Sequence, residues 1–161
     1  MTQPKLPKIL LDQNSTLHID GTESRLIHFD TNAHTSGDIL VYLAKMETIF
    51  CGDVVFNDRL PSLRDGAING WIATLEMIKA MPVDYVIGGH GNAVKRAALD
   101  MTYGYLIEIR DEVRAAIEND VGIDVAVKAI KMPSYSSVAF YDVIHAQNVE
   151  VVYRMLEWGD E

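Results

Sequence analysis

The sequence predicts an α/β protein in which one β-sheet is covered on one face by helices. The first third of the chain alternates short β-like runs with turns, and the rest carries four helical patterns with one more β-like run between the first two. The run Ile39–Leu43 is apolar throughout, which is typical of a strand buried on both sides. With 161 residues, the chain is expected to form a single domain, 1–161, in which residues 1–7 are a flexible arm.

Strands are predicted where short apolar or β-branched runs lie between turn formers. The dipeptide Asp20-Gly21 separates two such runs and is a strong hairpin signal. The predicted strands cover residues 8–11, 16–19, 25–29, 38–43, 48–50 and 83–87.

Helices are predicted where apolar residues recur at intervals of three or four. Trp71, Leu75 and Ile78 form such a stripe, and Pro82 ends this helix. Asp124 is the expected N-cap of a shorter helix. The predicted helices cover residues 69–81, 93–119, 125–131 and 137–157.

The charge balance excludes several classes of partner. The formal net charge is -9 and the sequence pI is about 4.9, so no basic field is present to attract nucleic acid or an anionic membrane. The N-terminus has no long apolar run, which predicts no signal peptide and a cytoplasmic location. Cys51 is the single cysteine, so no intramolecular disulfide can form, and a buried structural thiol is favoured over an added soft metal ligand.

Three side chains lie where β-like runs meet turns that contain glycine: His34, Asp53 and His90. If these runs are neighbouring strands, their turns meet at one edge of the sheet. Imidazole and carboxylate together suit zinc, iron or manganese. On spacing alone, an alternative is equally supported, in which the histidines bond to the backbone and Asp53 forms a turn. His145 is expected to make a surface contact with Asp142 on the last helix.

The stretches around these residues resemble the C-terminal half of the metallo-β-lactamase superfamily, in particular its hydrolase-like members. They are FDTNAHTSGD at 29–38, FCGDVVF at 50–56 and IGGHG at 87–91, where Gly88 replaces the usual proline. The resemblance implies that His34 is the third histidine of the first metal site. It also implies that Asp53 is the bridging aspartate and His90 the last histidine of the second site.

The family's His-x-His-x-Asp-His cluster is absent from this sequence. The resemblance therefore implies a truncated metallo-β-lactamase-like protein with a partial metal site that is not hydrolytic on its own. Zinc is the expected ion, at weak or partial occupancy, and iron or manganese are alternatives. The alternative function is a zinc-dependent hydrolase of esters, thioesters or lactams, completed by a half supplied in trans or by a longer parent chain. No catalytic residue is assigned, and the small-molecule substrate stays open.

The strands that are apolar on both sides have a further consequence. In the family, the sheet face opposite the helices packs against the other half of an αβ/βα sandwich. Here that face is expected to be covered by a partner chain in a homodimer, in which each copy covers the sheet of the other.

Overall fold

The computed structural model describes residues 10, 11, 13–92 and 94–159 of the chain. Within this part, six strands form one sheet: β1 (Ser15–Ile19), β2 (Thr22–His28), β3 (Ile39–Leu43), β4 (Thr48–Phe56), β5 (Tyr85–His90) and β6 (Val94–Lys95). The helices are α1 (Ile68–Ala80), α2 (Ala97–Glu118), α3 (Ile123–Ala129) and α4 (Tyr141–Trp158).

The strands lie in the sheet in the same order as in the chain. Strands β1 to β4 form an antiparallel meander, β5 pairs parallel to β4, and β6 pairs antiparallel to β5. The parallel pair requires a crossover, which α1 provides. The predicted α/β architecture, one sheet with helices on one face, is confirmed.

The core lies between one face of the sheet and the helices. Alternate residues of β3 and β4, such as Leu40 and Ile49, are fully buried on this face. Trp71 of α1 and Leu106 of α2 are also fully buried, and the same cluster includes residues of α4. Since burying one such side chain is worth about 1.5–3 kcal/mol, this layer supplies the main driving force for folding.

The C-terminal end of β4 departs from a regular strand. Its register against β5 shifts on both sides of Gly52, which adopts a left-handed conformation with φ of 51°. Two helices bond to the backbone there. The Trp71 indole N–H donates to the Val54 carbonyl at 2.8 Å. The Phe56 N–H donates to the Thr102 hydroxyl at 3.2 Å, and that hydroxyl donates to the Phe56 carbonyl at 2.9 Å. Backbone groups that the irregular ladder leaves free are therefore satisfied by side chains.

Several predicted elements need correction. The strand predicted at 48–50 continues to Phe56, so Asp53 lies inside β4 and not in a turn after it. Leu10 and Leu11 are not in a strand, while residues 8 and 9 and the predicted arm 1–7 lie outside the described residues. Strand β6 falls inside the predicted helix 93–119, because it pairs with Tyr85 and Val86 of β5.

The helix ends also differ in detail from the prediction. Gly122 is the N-cap of α3, and Asp124 lies in the first turn of this helix. There its negative charge interacts favourably with the positive end of the helix dipole. In the part of the chain that the structure covers, no helix combines the length and apolar character needed to span a bilayer.

The predicted surface contact of His145 is wrong, because this side chain is only 3% exposed. Its Nε2 lies 3.1 Å from the carbonyl of Ile130, which can only accept, so Nε2 carries the proton and donates. Nδ1 of the neutral ring therefore accepts from the Tyr105 hydroxyl at 3.1 Å. Asn148 donates to the Tyr105 hydroxyl at 3.0 Å and to the Pro61 carbonyl at 2.8 Å. This buried network joins α2, α4 and the segment before α1 with each polar group partnered.

Burial lowers the pKa of His145 in the folded protein, aided by the charge of Lys131 and opposed by the bond to Ile130. The unfolded chain therefore binds more protons as the pH falls through about 6.5. We expect the stabilisation by neutral His145 to be fully present above that pH. It should be lost as the pH falls toward the pKa of the folded state. Urea unfolding at pH 7.5 and 5.5 measures this loss.

The His145→Phe variant isolates this effect. We expect it to be less stable by about 1–3 kcal/mol at pH 7.5, since the Tyr105 hydroxyl and the Ile130 carbonyl lose a partner. It should also show a smaller loss of stability on acidification than the wild-type protein. Equal pH dependence in the wild-type protein and His145→Phe would contradict the assignment.

Candidate metal centre

The sheet topology brings three predicted site residues to one edge. Because β4 and β5 are parallel, Asp53 near the end of β4 and His90 at the end of β5 lie at the same edge. Because β3 runs antiparallel to β4, the loop before β3 reaches that edge as well, and this loop carries His34. The predicted convergence of the three side chains is therefore present.

The Asp53 carboxylate lies between the two imidazoles. Its Oδ2 is 3.7 Å from His34 Nε2, and its Oδ1 is 3.4 Å from His90 Nε2. The side chains of Asp53 and His90 are 40% and 42% exposed, and that of His34 is 18% exposed. Each carboxylate oxygen thus faces a different histidine, on a site that is open to solvent on the Asp53 and His90 side.

Hydrogen bonds within the loop from Ala33 to Asp38 hold it in place. The Asp38 carboxylate accepts from the Thr35 N–H at 2.7 Å and from the Thr35 hydroxyl at 3.0 Å. The Ala33 carbonyl accepts from the N–H of Ala67, just before α1, at 3.0 Å. Asp38 is therefore used inside its own loop, and His34 is carried on a braced turn.

Two aromatic side chains pack against the imidazoles. His34 meets Trp71 and Phe56 edge-on, at centroid distances of 5.1 and 5.7 Å. His90 stacks on Phe56 at 5.2 Å with an interplanar angle of 22°. These contacts fix the orientation of both rings toward Asp53. Sequence reasoning assigned Trp71 to the core stripe but missed its role here, and it missed Phe56 as well.

The second histidine is also held by its backbone. The Asn57 N–H donates to the His90 carbonyl at 3.1 Å, and the Asn57 side chain donates to the Asn92 carbonyl at 3.1 Å. These bonds tie the turn after β5 to the end of β4. His90 is therefore positioned by the same strand end that carries Asp53.

Other potential ligands lie apart from this group. Cys51 is buried on the helix side of β4, and burial raises the pKa of its thiol to about 12, as expected for an inert structural cysteine. Among residues 10, 11, 13–92 and 94–159, no three His, Cys, Asp or Glu side chains form a group that could hold one metal ion together. The roles of His34, Asp53 and His90 as ligands stay a prediction.

Solved structures show the same fold. A metallo-β-lactamase from Pontibacter korlensis matches with a TM-score of 0.57 and 21% identity, over 64% of this chain and 50% of that protein. The sec-alkylsulfatase Pisa1 from Pseudomonas sp. matches with a TM-score of 0.70 and 16% identity, over 92% and 26%. DIM-1 metallo-β-lactamase matches with a TM-score of 0.52 and 24% identity, over 61% and 47%. The chain thus spans between a quarter and a half of these proteins.

Sequence comparison identifies the family. No curated protein matches the chain significantly. The model of the metallo-β-lactamase superfamily matches residues 2–90, which is more than half of the 161 residues and includes His34, Asp53 and His90. The chain therefore belongs to the metallo-β-lactamase superfamily.

Proposed function

We propose that this protein has a partial metal site with two neighbouring cation positions, one between His34 and Asp53 and one between Asp53 and His90, and that it does not hydrolyse substrates by itself. The observation that carries the proposal is the position of the Asp53 carboxylate, whose two oxygens face the two imidazoles at 3.7 and 3.4 Å. A carboxylate in this position can share its oxygens between two cation positions. Membership of a superfamily that typically binds metals supports the same conclusion.

The donor atoms suit zinc best. Two ligands of a tetrahedral zinc ion, with bonds of about 2.0–2.2 Å, lie about 3.3–3.6 Å apart. The separation of 3.4 Å between Asp53 Oδ1 and His90 Nε2 falls in that range, and the 3.7 Å to His34 Nε2 is slightly longer. His34 Nδ1 is buried and has no hydrogen-bond partner among the described residues, so Nε2 makes the polar contact of this ring. Iron and manganese accept the same donors.

The proposed site is incomplete as a hydrolytic centre. Each imidazole faces one oxygen of a shared carboxylate, which gives two ligands at each cation position. A catalytic zinc ion has three protein ligands and one open position, where it lowers the pKa of a bound water to about 7. On this donor set alone, we propose weak or partial metal occupancy and no activated water.

The alternative function is a zinc-dependent hydrolase that is completed by another polypeptide segment, in trans or in a longer parent chain. The structural matches suggest one further substrate class to test. The alkylsulfatase match covers 92% of this chain, whereas the two lactamase matches cover 61% and 64%. We therefore add sulfate esters to carboxylic esters, thioesters and lactams as substrates to test.

Because Gly89 has no side chain, it leaves room for the Asp53 carboxylate. A Cβ atom at position 89 would overlap Asp53 Oδ1 and lie 2.9 Å from the carbonyl carbon of Gly52. Any side chain there must displace the Asp53 carboxylate or the backbone beside it. In contrast, a Cβ atom at Gly37, in the His34 loop, meets nothing within 4 Å.

Zinc binding tests the proposal directly. We expect Asp53→Asn to weaken zinc affinity most, because this residue alone faces both histidines. Loss of a hydrogen-bond partner of a metal ligand weakens metal affinity by about 10–100-fold. We expect His34→Ala and His90→Ala, which remove a ligand itself, each to weaken zinc affinity by more than that. Competition with a chromophoric chelator gives the affinities, and mass spectrometry of purified protein gives metal per chain.

His18→Ala is the matched control, since His18 is exposed on β1 and outside the site. It should bind zinc as the wild-type protein does. Zinc affinity that is unchanged in Asp53→Asn would exclude the proposed site.

Gly89→Ala is expected to displace the Asp53 carboxylate and to weaken zinc binding, although it removes no donor atom. We expect it to cost about 1–3 kcal/mol of stability through overpacking. Gly37→Ala should change neither property. Zinc titration and urea unfolding of both variants measure these effects. Wild-type behaviour of Gly89→Ala in both would contradict the geometry around Asp53.

Hydrolysis assays separate the two functions. With zinc present, we expect the purified chain to hydrolyse a secondary alkyl sulfate, a thioester and a lactam no faster than Asp53→Asn does. The comparison with this variant removes background hydrolysis by free metal. Turnover that Asp53→Asn abolishes would show a working site and would favour the hydrolase.

A further inference from the structure

Arg59 differs from every other arginine in the part of the chain that the structure describes. The six others each have an ion pair or a hydrogen bond to a carboxylate or carbonyl oxygen: Arg25, Arg64, Arg96, Arg110, Arg114 and Arg154. Within residues 10, 11, 13–92 and 94–159, the Arg59 side chain has neither. The chain carries 23 acidic residues, so a shortage of carboxylates does not explain why this guanidinium is unpaired.

The unpaired guanidinium is also partly shielded from water. Arg59 is half buried, and its Nε is buried without a hydrogen-bond partner in the described structure. An arginine such as Arg64, whose side chain is 79% exposed, can bond to water as well. A buried N–H group without an acceptor costs free energy, and a charged group costs more. An acceptor for the Arg59 Nε–H is therefore expected to come from a bound ligand.

Two phenylalanine rings and a backbone bridge hold Arg59 in place. Its Cζ lies 4.4 Å from the ring centre of Phe140 and 5.8 Å from that of Phe56, within the range of cation–π contacts. Its backbone pairs with Ala139, and the Leu60 N–H donates to the Ala139 carbonyl at 3.0 Å. A guanidinium that is already fixed loses little conformational entropy when it binds a ligand. Its planar N–H groups match the oxygens of an oxyanion.

Phe56 connects Arg59 to the candidate metal centre. The same ring stacks on His90 at 5.2 Å and meets His34 edge-on at 5.7 Å. The Arg59 Cζ can therefore lie no more than about 11 Å from the ring centre of His90, a limit set by the distances of both groups from Phe56. A small organic ligand can span this distance. One ligand can thus contact Arg59 and a cation beside Asp53 at the same time.

We propose that Arg59 anchors the carboxylate or sulfate group of a small organic ligand beside the metal centre. The field of a chain with a net charge of -9 repels anions, so an anionic ligand needs a positive group at its own position. Arg59 supplies that group and makes the site favour anions over neutral molecules of the same shape. The inference adds a ligand class to the proposed metal centre and depends on that centre only for the second contact of the ligand.

Titration followed by NMR tests the proposal on the full chain, in the presence of EDTA. Burial slows the exchange of the Arg59 Nε–H with water, so its resonance should be visible near neutral pH. We expect sodium sulfate and sodium acetate to shift this resonance with dissociation constants in the millimolar range. The anion with the lower dissociation constant identifies the head group of the ligand.

Two additives serve as controls for this titration. Acetamide is neutral and has the shape of acetate, so it should leave the Arg59 resonance unchanged. Sodium chloride at equal ionic strength corrects for screening of charges. An Arg59 resonance that sulfate and acetate move no more than chloride does would overturn the proposal.

Arg59→Lys keeps the positive charge but loses the planar set of donors. We expect it to bind sulfate at least about 10-fold more weakly, as followed by the ring signals of Phe140, which contacts the guanidinium. Arg64→Lys, at an exposed position paired with Asp65, is the matched control and should bind sulfate as the wild-type protein does. Wild-type sulfate affinity in a folded Arg59→Lys would indicate an adventitious ion only, against the proposal.

The wild-type titration decides the matter if Arg59→Lys does not fold. Its internal control is Tyr103, whose ring contacts the Lys79 ammonium at 4.5 Å, and sulfate should shift the ring signals of Phe140 but not those of Tyr103. Equal shifts of both rings would mean nonspecific ion binding and would exclude the Arg59 site. EDTA keeps this result separate from the metal centre, because failure of zinc to bind at Asp53 does not change the sulfate titration.

Discussion

The irregular end of β4 is the constraint on which the rest of the structure depends. A regular strand would satisfy its backbone through the ladder alone, but the register shifts around Gly52 break that ladder. Trp71 from α1 and Thr102 from α2 bond to the freed groups of Val54 and Phe56. A polar backbone that is buried without such partners costs free energy, so both helices are tied to this strand end. The bulge and the helix layer are therefore parts of one arrangement.

The same arrangement produces the candidate metal centre. Asp53 lies between the bulge and the bonded residues, so its carboxylate is held by a backbone that cannot return to a regular register. Phe56 and Trp71 turn the histidines toward it with their ring faces and edges. The irregular end of β4 thus determines both the packing of the helices and the placement of the donor residues. A rigid scaffold that leaves a carboxylate half exposed between two imidazoles is suited to binding a cation.

The two faces of the sheet differ in what covers them. The buried face joins the helices and orients the donor residues, whereas the opposite face carries exposed apolar residues such as Leu17, Phe50 and Tyr85. The homodimer expected through that face stays a prediction. The proposed metal binding does not depend on it, because the site consists of three side chains at one edge of the sheet.

The sequence by itself determined the order of β1 to β5 and of the four helices, the convergence of His34, Asp53 and His90 at one edge of the sheet, and the apolar character of Ile39–Leu43. These features are local, since strand pattern, turn residues and short motifs depend on neighbours in the chain. Only the tertiary structure decided that β4 continues past Asp53 and that Val94–Lys95 pairs as a strand. It also decided that His145 is buried, because Tyr105 and Ile130, its hydrogen-bond partners, lie 40 and 15 residues away in sequence. Such contacts join distant segments, and no local pattern records them.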